Sequence, residues 1–168
     1  MILTACNESS KPQADQMEDN VGTAITSTLS ETPSLSGAGS INVCATMTMD
    51  AILAAVGGSD PKGTKTYTDD NSDCSYGFTT SSPSGGPVGW GVDVQVWDVS
   101  TWEYQRALSS RNRKDVPDLG DAAFTQSNMG ARSLWVKHGD KVISVSSPDH
   151  DESETLTRKI AELALTYW

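Results

Sequence analysis

Between Val92 and Trp97 apolar and polar residues alternate, Val92, Val94 and Val96 against Asp93, Gln95 and Trp97. A period of two predicts a strand with one buried face. Ser133 to Lys137 and Lys141 to Ser146 predict two more strands, and His138-Gly139-Asp140 between them is hairpin chemistry. Cys74 to Phe78 and Ala122 to Gln126 are further strands, and residues 64–68 alternate weakly. Ser81 to Pro87 is a Ser/Gly/Pro loop and Pro117-Asp118-Leu119-Gly120 a turn. Helical spacing appears three times. Thr48 caps a short helix from Met49 to Val56, stopped by Gly57-Gly58. Ser100-Thr101-Trp102-Glu103 has the spacing of a capping box, and its helix runs to about Ser110 with Tyr104, Ala107 and Leu108 on one face. The last helix starts around Asp151 to Ser153 and carries the stripe Leu156, Ile160, Leu163, Ala164 and Tyr167. The predicted order is α-β-β-β-α-β-β-β-α. Its hairpin connections imply an α+β fold, a mainly antiparallel sheet with helices packed on it.

The pattern stops on the N-terminal side of Ile41. All eleven aromatic residues lie beyond residue 66, and nine of the twenty residues from Val21 to Ser40 are Ser or Thr. Such a stretch buries too little apolar surface to offset its backbone entropy. Three parts are therefore expected: residues 1–6 as the remnant of a signal, 7–40 as a disordered acidic tether, and 41–168 as one folded domain. The length of 168 residues fits that count. Twelve basic against 22 acidic residues give a net charge of −10. This excludes a phosphate-backbone binder, which needs a clustered basic face, and disfavours docking on an anionic membrane by charge.

Leu3-Thr4-Ala5-Cys6 resembles the bacterial lipobox, in which a Cys after small residues is acylated and becomes the new N-terminus. Met1-Ile2 is too short for a charged region and an apolar core, so a longer leader is expected ahead of it. The alternative is an exposed thiol on a frayed end. A tether directly after Cys6 suits a surface-anchored domain and favours the lipobox. Export to the outer face of the membrane then makes a disulfide between Cys44 and Cys74 the expectation. A zinc site fails, because the chain has no paired CxxC and only two distant histidines.

Candidate chemistry is sparse. His138 falls in the hairpin turn and His150 between two aspartates, with no G-x-S-x-G elbow to suggest a hydrolase. Asp149 to Glu154 is an acidic cluster best read as favouring a helix N-terminus. Asp69, Asn71 and Asp73 begin like a calcium loop, but Cys74 and Thr80 stand where Gly and Glu are required. Gly58 to Lys65 falls short of a phosphate loop, with Thr64 in the Lys place. Trp97 and Trp135 sit on the polar faces of their strands. Either they form a platform for a ligand or partner, or helices cover both faces and the rings are second-layer core. Trp90, closing the loop from Ser81 to Gly91, is a candidate cleft rim. No catalytic residue, metal or cofactor is expected.

Three features together resemble an actinobacterial family of surface lipoproteins with no assigned role. They are Val43-Cys44 before a short helix ending at Gly57, Cys74-Ser75-Tyr76, and Val116-Pro117-Asp118-Leu119-Gly120-Asp121-Ala122-Ala123-Phe124. The resemblance spans residues 41–168 and implies a PsbP-like α/β/α sandwich. It supplies no catalytic residues. Its implied roles are cell-envelope binding or sensing, and the expected partners are the lipid membrane through acylated Cys6 and an envelope ligand or protein, with the chain a monomer. An enzyme acting on envelope material and a purely structural envelope protein are the rival readings.

Overall fold

The computed structural model describes residues 41–68, 71–109 and 111–168. Cys6 and the expected tether, 7–40, lie outside the described residues. After a one-turn helix α1 (Val43–Thr46) come α2 (Met49–Val56), β1 (Ser59–Thr66), β2 (Asp73–Ser81) and β3 (Pro87–Asp98). Then follow α3 (Thr101–Leu108), β4 (Arg113–Val116), β5 (Ala122–Asn128), β6 (Ala131–His138), β7 (Lys141–Pro148) and α4 (Ser153–Ala164). The strands form one open sheet in the order β1-β2-β3-β7-β6-β5-β4, every neighbour antiparallel. The fold is α+β.

Alternation sets the two faces. Tyr76, Phe78, Val92, Val94, Val96, Leu134, Val136, Ile143 and Val145 point to one side and meet Ile52, Val56, Leu156, Ile160 and Ala164 of the helices. Trp102, Phe124, Trp135 and Val142 form a smaller cluster on the other side. α2 begins and ends as its sequence predicts, with the Thr48 hydroxyl accepting from Ala51 N and Gly57 in the left-handed region.

Two elements were not expected. α1 is too short to show a period; it is held by its Asn42 cap and by Tyr76, whose hydroxyl donates to Met47 O at 2.6 Å. β4 is a polar edge strand whose exposed Lys114 and Asp115 break alternation. β1 starts at Ser59 and not at residue 64, because an exposed edge strand with a bulge needs no apolar face.

α3 corrects two expectations. Ser100 is already helical at φ −59° and its side chain makes no cap bond, so the capping box does not form. Asp98 Oδ1 instead accepts from Ser100 N at 2.9 Å. The buried face belongs to Trp102, whereas Tyr104 and Leu108 are 64% and 60% exposed. The helix meets the sheet through its first turn, and the largest side chain there takes the buried position. In α4 the stripe holds at Leu156, Ile160 and Ala164, while Tyr167 lies beyond the helix and is exposed.

The run from Leu119 to Phe124 has a structural account. Leu119 is buried, and a Cβ at Gly120 would stand 2.5 Å from Lys137 O. Asp121 N donates to Lys137 O, and Asp121 Oδ2 accepts from Gly139 N. The motif fastens the turn before β5 onto the β6–β7 hairpin.

Cys44 and Cys74 form a disulfide with a Cα–Cα distance of 5.2 Å and a sequence separation of 30. Loop-closure entropy for that span stabilises the fold by about 3.5–4 kcal/mol. Reduction is expected to lower the urea midpoint accordingly, and an unchanged midpoint would refute this contribution. Burial, and secondarily Tyr167, push the Tyr76 phenol well above its ordinary range. Folding therefore favours the neutral phenol: this stabilisation is complete below the unfolded pKa of about 10 and declines as pH rises above it. Tyr76→Phe should cost about 1–2 kcal/mol at neutral pH. It should also flatten the alkaline limb of the stability profile measured by urea unfolding, and an equally steep limb would contradict the assignment.

Candidate functional site

Seven strands at ~4.8 Å spacing make a sheet about 29 Å wide. One face carries α1, α2 and α4. Among the described residues the other carries only α3, which at eight residues is about 12 Å long and ~10 Å across. Trp102 seats it against Phe124, with ring centroids 5.2 Å apart, and Phe124 stacks on Trp135 at 6.3 Å. Among the described residues, no helix covers the half of this face over β1, β2 and β3.

Register decides what lies there. Gly63 pairs with Gly77, and Gly77 with Gly91, so three glycines stand side by side across three strands. Beside them runs a polar row in register: Lys65, Ser75, Asp93, Ser146 and Ser133. The Ser75 hydroxyl donates to Asp93 Oδ1, and the Ser133 and Ser146 hydroxyls are 2.8 Å apart. With no side chains on the glycine row, the surface sinks into a trough of about 560 Å³. Its far wall is formed by Gly130 and Ala131.

Two cations border the trough. A Cβ at Gly77 would stand 3.1 Å from the Lys62 Cβ, and one at Gly89 would stand 3.9 Å from the Lys62 Nζ. Lys62 therefore lies across the glycines with its ammonium beside Gly89. Lys65 Nζ sits 4.5 Å from the Tyr67 ring centroid. Neither ammonium belongs to an ion pair among the described residues. In a chain of net charge −10, this open surface presents unpaired positive charge, one carboxylate and several hydroxyls. Such a set orients a polar ligand by hydrogen bonds and charge.

The three tryptophans do not come together. Trp90 is buried on the opposite face, its Nε1 donating to Thr80 Oγ1 at 2.7 Å, and it borders a cleft of about 220 Å³ with Ser81, Pro83 and Lys159. Trp135 is buried in the smaller cluster. Trp97, 37% exposed, donates through Nε1 to Ser144 Oγ at 3.2 Å. His138 and His150 lie at opposite ends of β7, and the His150 ring stands edge-on to Trp90 at 5.5 Å. In the acidic cluster, Asp149 and Glu154 each meet Arg132 at 3.0 Å and Glu152 accepts from Ser82 Oγ. Asp73, the third position of the calcium-like run, is buried against Gln95, and Asp69 lies outside the described residues. No sequence reading pointed to Gly63, Gly77, Gly91 or Lys62. The one available hint was Gly89 and Gly91 flanking Trp90 directly before an alternating strand.

No protein-family model, curated protein or solved structure matches the chain.

The smaller cluster makes a contrast that unfolding can measure. Trp135→Ala should cost about 3–5 kcal/mol, as truncation of a buried aromatic does. Trp97→Ala should cost roughly 1 kcal/mol. Equal losses in urea titrations would show that the two rings share one environment.

Proposed function

We propose that this is an exported domain, lipid-anchored through Cys6, that captures an envelope ligand without transforming it. The trough over Gly63, Gly77 and Gly91 is where that ligand lies. The observation that carries this reading is a half-face that no described helix covers, whose floor is stripped of side chains and whose border holds two ammonium groups that belong to no ion pair among the described residues. Large concave sites with a few convergent polar groups are the usual place for small molecules. The Cys44–Cys74 disulfide is in keeping with an oxidising compartment outside the cytosol. The lipobox at Cys6 and the resemblance to actinobacterial surface lipoproteins belong to the same reading, as does a PsbP-like relationship of the sandwich.

Gly91 supplies a clean test. A Cβ there meets nothing within 4 Å, so a large side chain fills the trough without disturbing the fold. Native mass spectrometry on protein released from its own membrane should give a lipid mass on a chain starting at Cys6, together with a non-covalent adduct. Gly91→Trp should keep its melting temperature within about 2 °C, equivalent to under 1 kcal/mol, and lose the adduct. An unmodified Cys6 would remove the anchoring claim. An adduct that survives in Gly91→Trp would remove the trough.

A further inference from the structure

The lining of the trough narrows what it takes. Its floor is backbone, because Gly63, Gly77 and Gly91 stand side by side there. An apolar molecule gains little on such a floor, since the free energy of its burial scales with the apolar area removed from water. The volume of about 560 Å³ falls among small-molecule sites, which run from about 300 to 1,000 Å³.

One row of the lining pairs donors with acceptors. Lys65 lies beside Ser75, Ser75 beside Asp93 and Asp93 beside Ser146. An ammonium only donates, a carboxylate only accepts and a hydroxyl does both. Ser75 Oγ donates to Asp93 Oδ1, and Asp93 Oδ2 has no protein partner among the described residues. Neighbouring hydroxyls of a sugar, each a donor and an acceptor, match that row. The exposed Tyr67 ring lines the same trough and adds an apolar body with a polar tip.

Charge narrows the choice further. Arg132, Lys141 and Arg158 meet carboxylates at 3.0 Å or less. Lys62 and Lys65 belong to no ion pair among the described residues, although Asp93 lines the same trough. Lys62 lies across the glycine floor, its ammonium beside Gly89, which is four residues of β3, about 13 Å, from Asp93. Two ammonium groups against one carboxylate leave a single positive charge, which one oxyanion balances. A long polyanion is disfavoured, because beyond the trough it would meet a chain of net charge −10.

Resting on the reading of the trough as the ligand site, we infer that its ligand is a short sugar carrying one oxyanion, either a carboxylate or a phosphate ester. Lys62 pairs with the oxyanion, the row Lys65, Ser75 and Asp93 takes the sugar hydroxyls, and the bare glycines let the ring approach the sheet.

The test is a ¹⁵N–¹H NMR titration of the full chain with cellobiouronate and with lactose 1-phosphate, set against neutral cellobiose and against sodium acetate. The Gly63, Gly77 and Gly91 amides should shift saturably with a charged disaccharide, with a Kd of about 1 mM. The tighter of the two names the oxyanion. Cellobiose should bind about threefold or more weaker, and Lys62→Gln, at an exposed position, should lower the charged sugar to the affinity of cellobiose. Acetate, with no hydroxyls, should bind about tenfold weaker or more. Equal affinity for cellobiose, or an unchanged affinity in Lys62→Gln, would overturn the oxyanion. Acetate binding as tightly as the disaccharides would overturn the sugar. No saturable shift with any of these probes would overturn the whole inference, whereas the trough itself stands or falls by the native adduct in Gly91→Trp.

Discussion

A sheet seven strands wide has two faces to cover, and the described residues bring three helices to one and a single short helix to the other. That mismatch of width governs the rest of the structure. On the covered face β2, β3, β6 and β7 alternate apolar residues inward, and the helices bury them. On the second face, buried apolar side chains are confined to the patch α3 can reach: Phe124, Trp135 and Val142 beneath Trp102. Elsewhere on that face the residues must tolerate water, and glycine, serine, aspartate and glutamine occupy it. Polar residues there make cross-strand hydrogen bonds that also pin the register, because a one-residue slip would carry them into the core.

How much of this was legible follows from what each feature depends on. The central strands β3, β6 and β7 and the helix α2 could be read directly, since alternation and caps are local. The edges could not. β1 and β4 have no buried face to impose a pattern, and their Pro61, lysines and arginine suit unpaired strand edges rather than a core. The face of α3 was misread because Tyr104 and Leu108 match helical spacing as well as Trp102 does, and only the docking angle selects among them. The candidate site was the least legible part. Gly63, Gly77 and Gly91 lie far apart in the chain, and no local pattern links them. They become one surface only when two hairpins fix their registers.

The second face also separates its charges. Lys62 and Lys65 border the trough from the β1 edge, while Asp73 lies at the other end of β2. Between them Ser75, Asp93, Gln95 and Ser144 are tied in hydrogen bonds that limit their freedom to swing toward either end. In low local dielectric such networks favour rigid placement, and any member left without a partner is conspicuous. Asp73 Oδ1 stands out for that reason, whereas the exposed ammonium groups of the trough incur little penalty while unoccupied.

Connectivity explains why the open half lies where it does. β3 is central, but the next strand, β4, is at the far edge, so the chain must cross β7, β6 and β5 before it can pair again. Those three strands were still to come when α3 was laid down in sequence, and the crossing passes on the face the other helices do not occupy. α3 therefore covers the half it must traverse. Among the described residues no segment passes over β1, β2 and β3 on that side, because the connections between these strands are hairpins at the sheet's ends. Exposure of that half-face thus follows from strand order, not from any local sequence preference. What the sequence had to specify separately was the furniture of the open half: glycines in register, lysines on the edge strand, and a buried aspartate with one oxygen unpaired. None of these improves packing of the core.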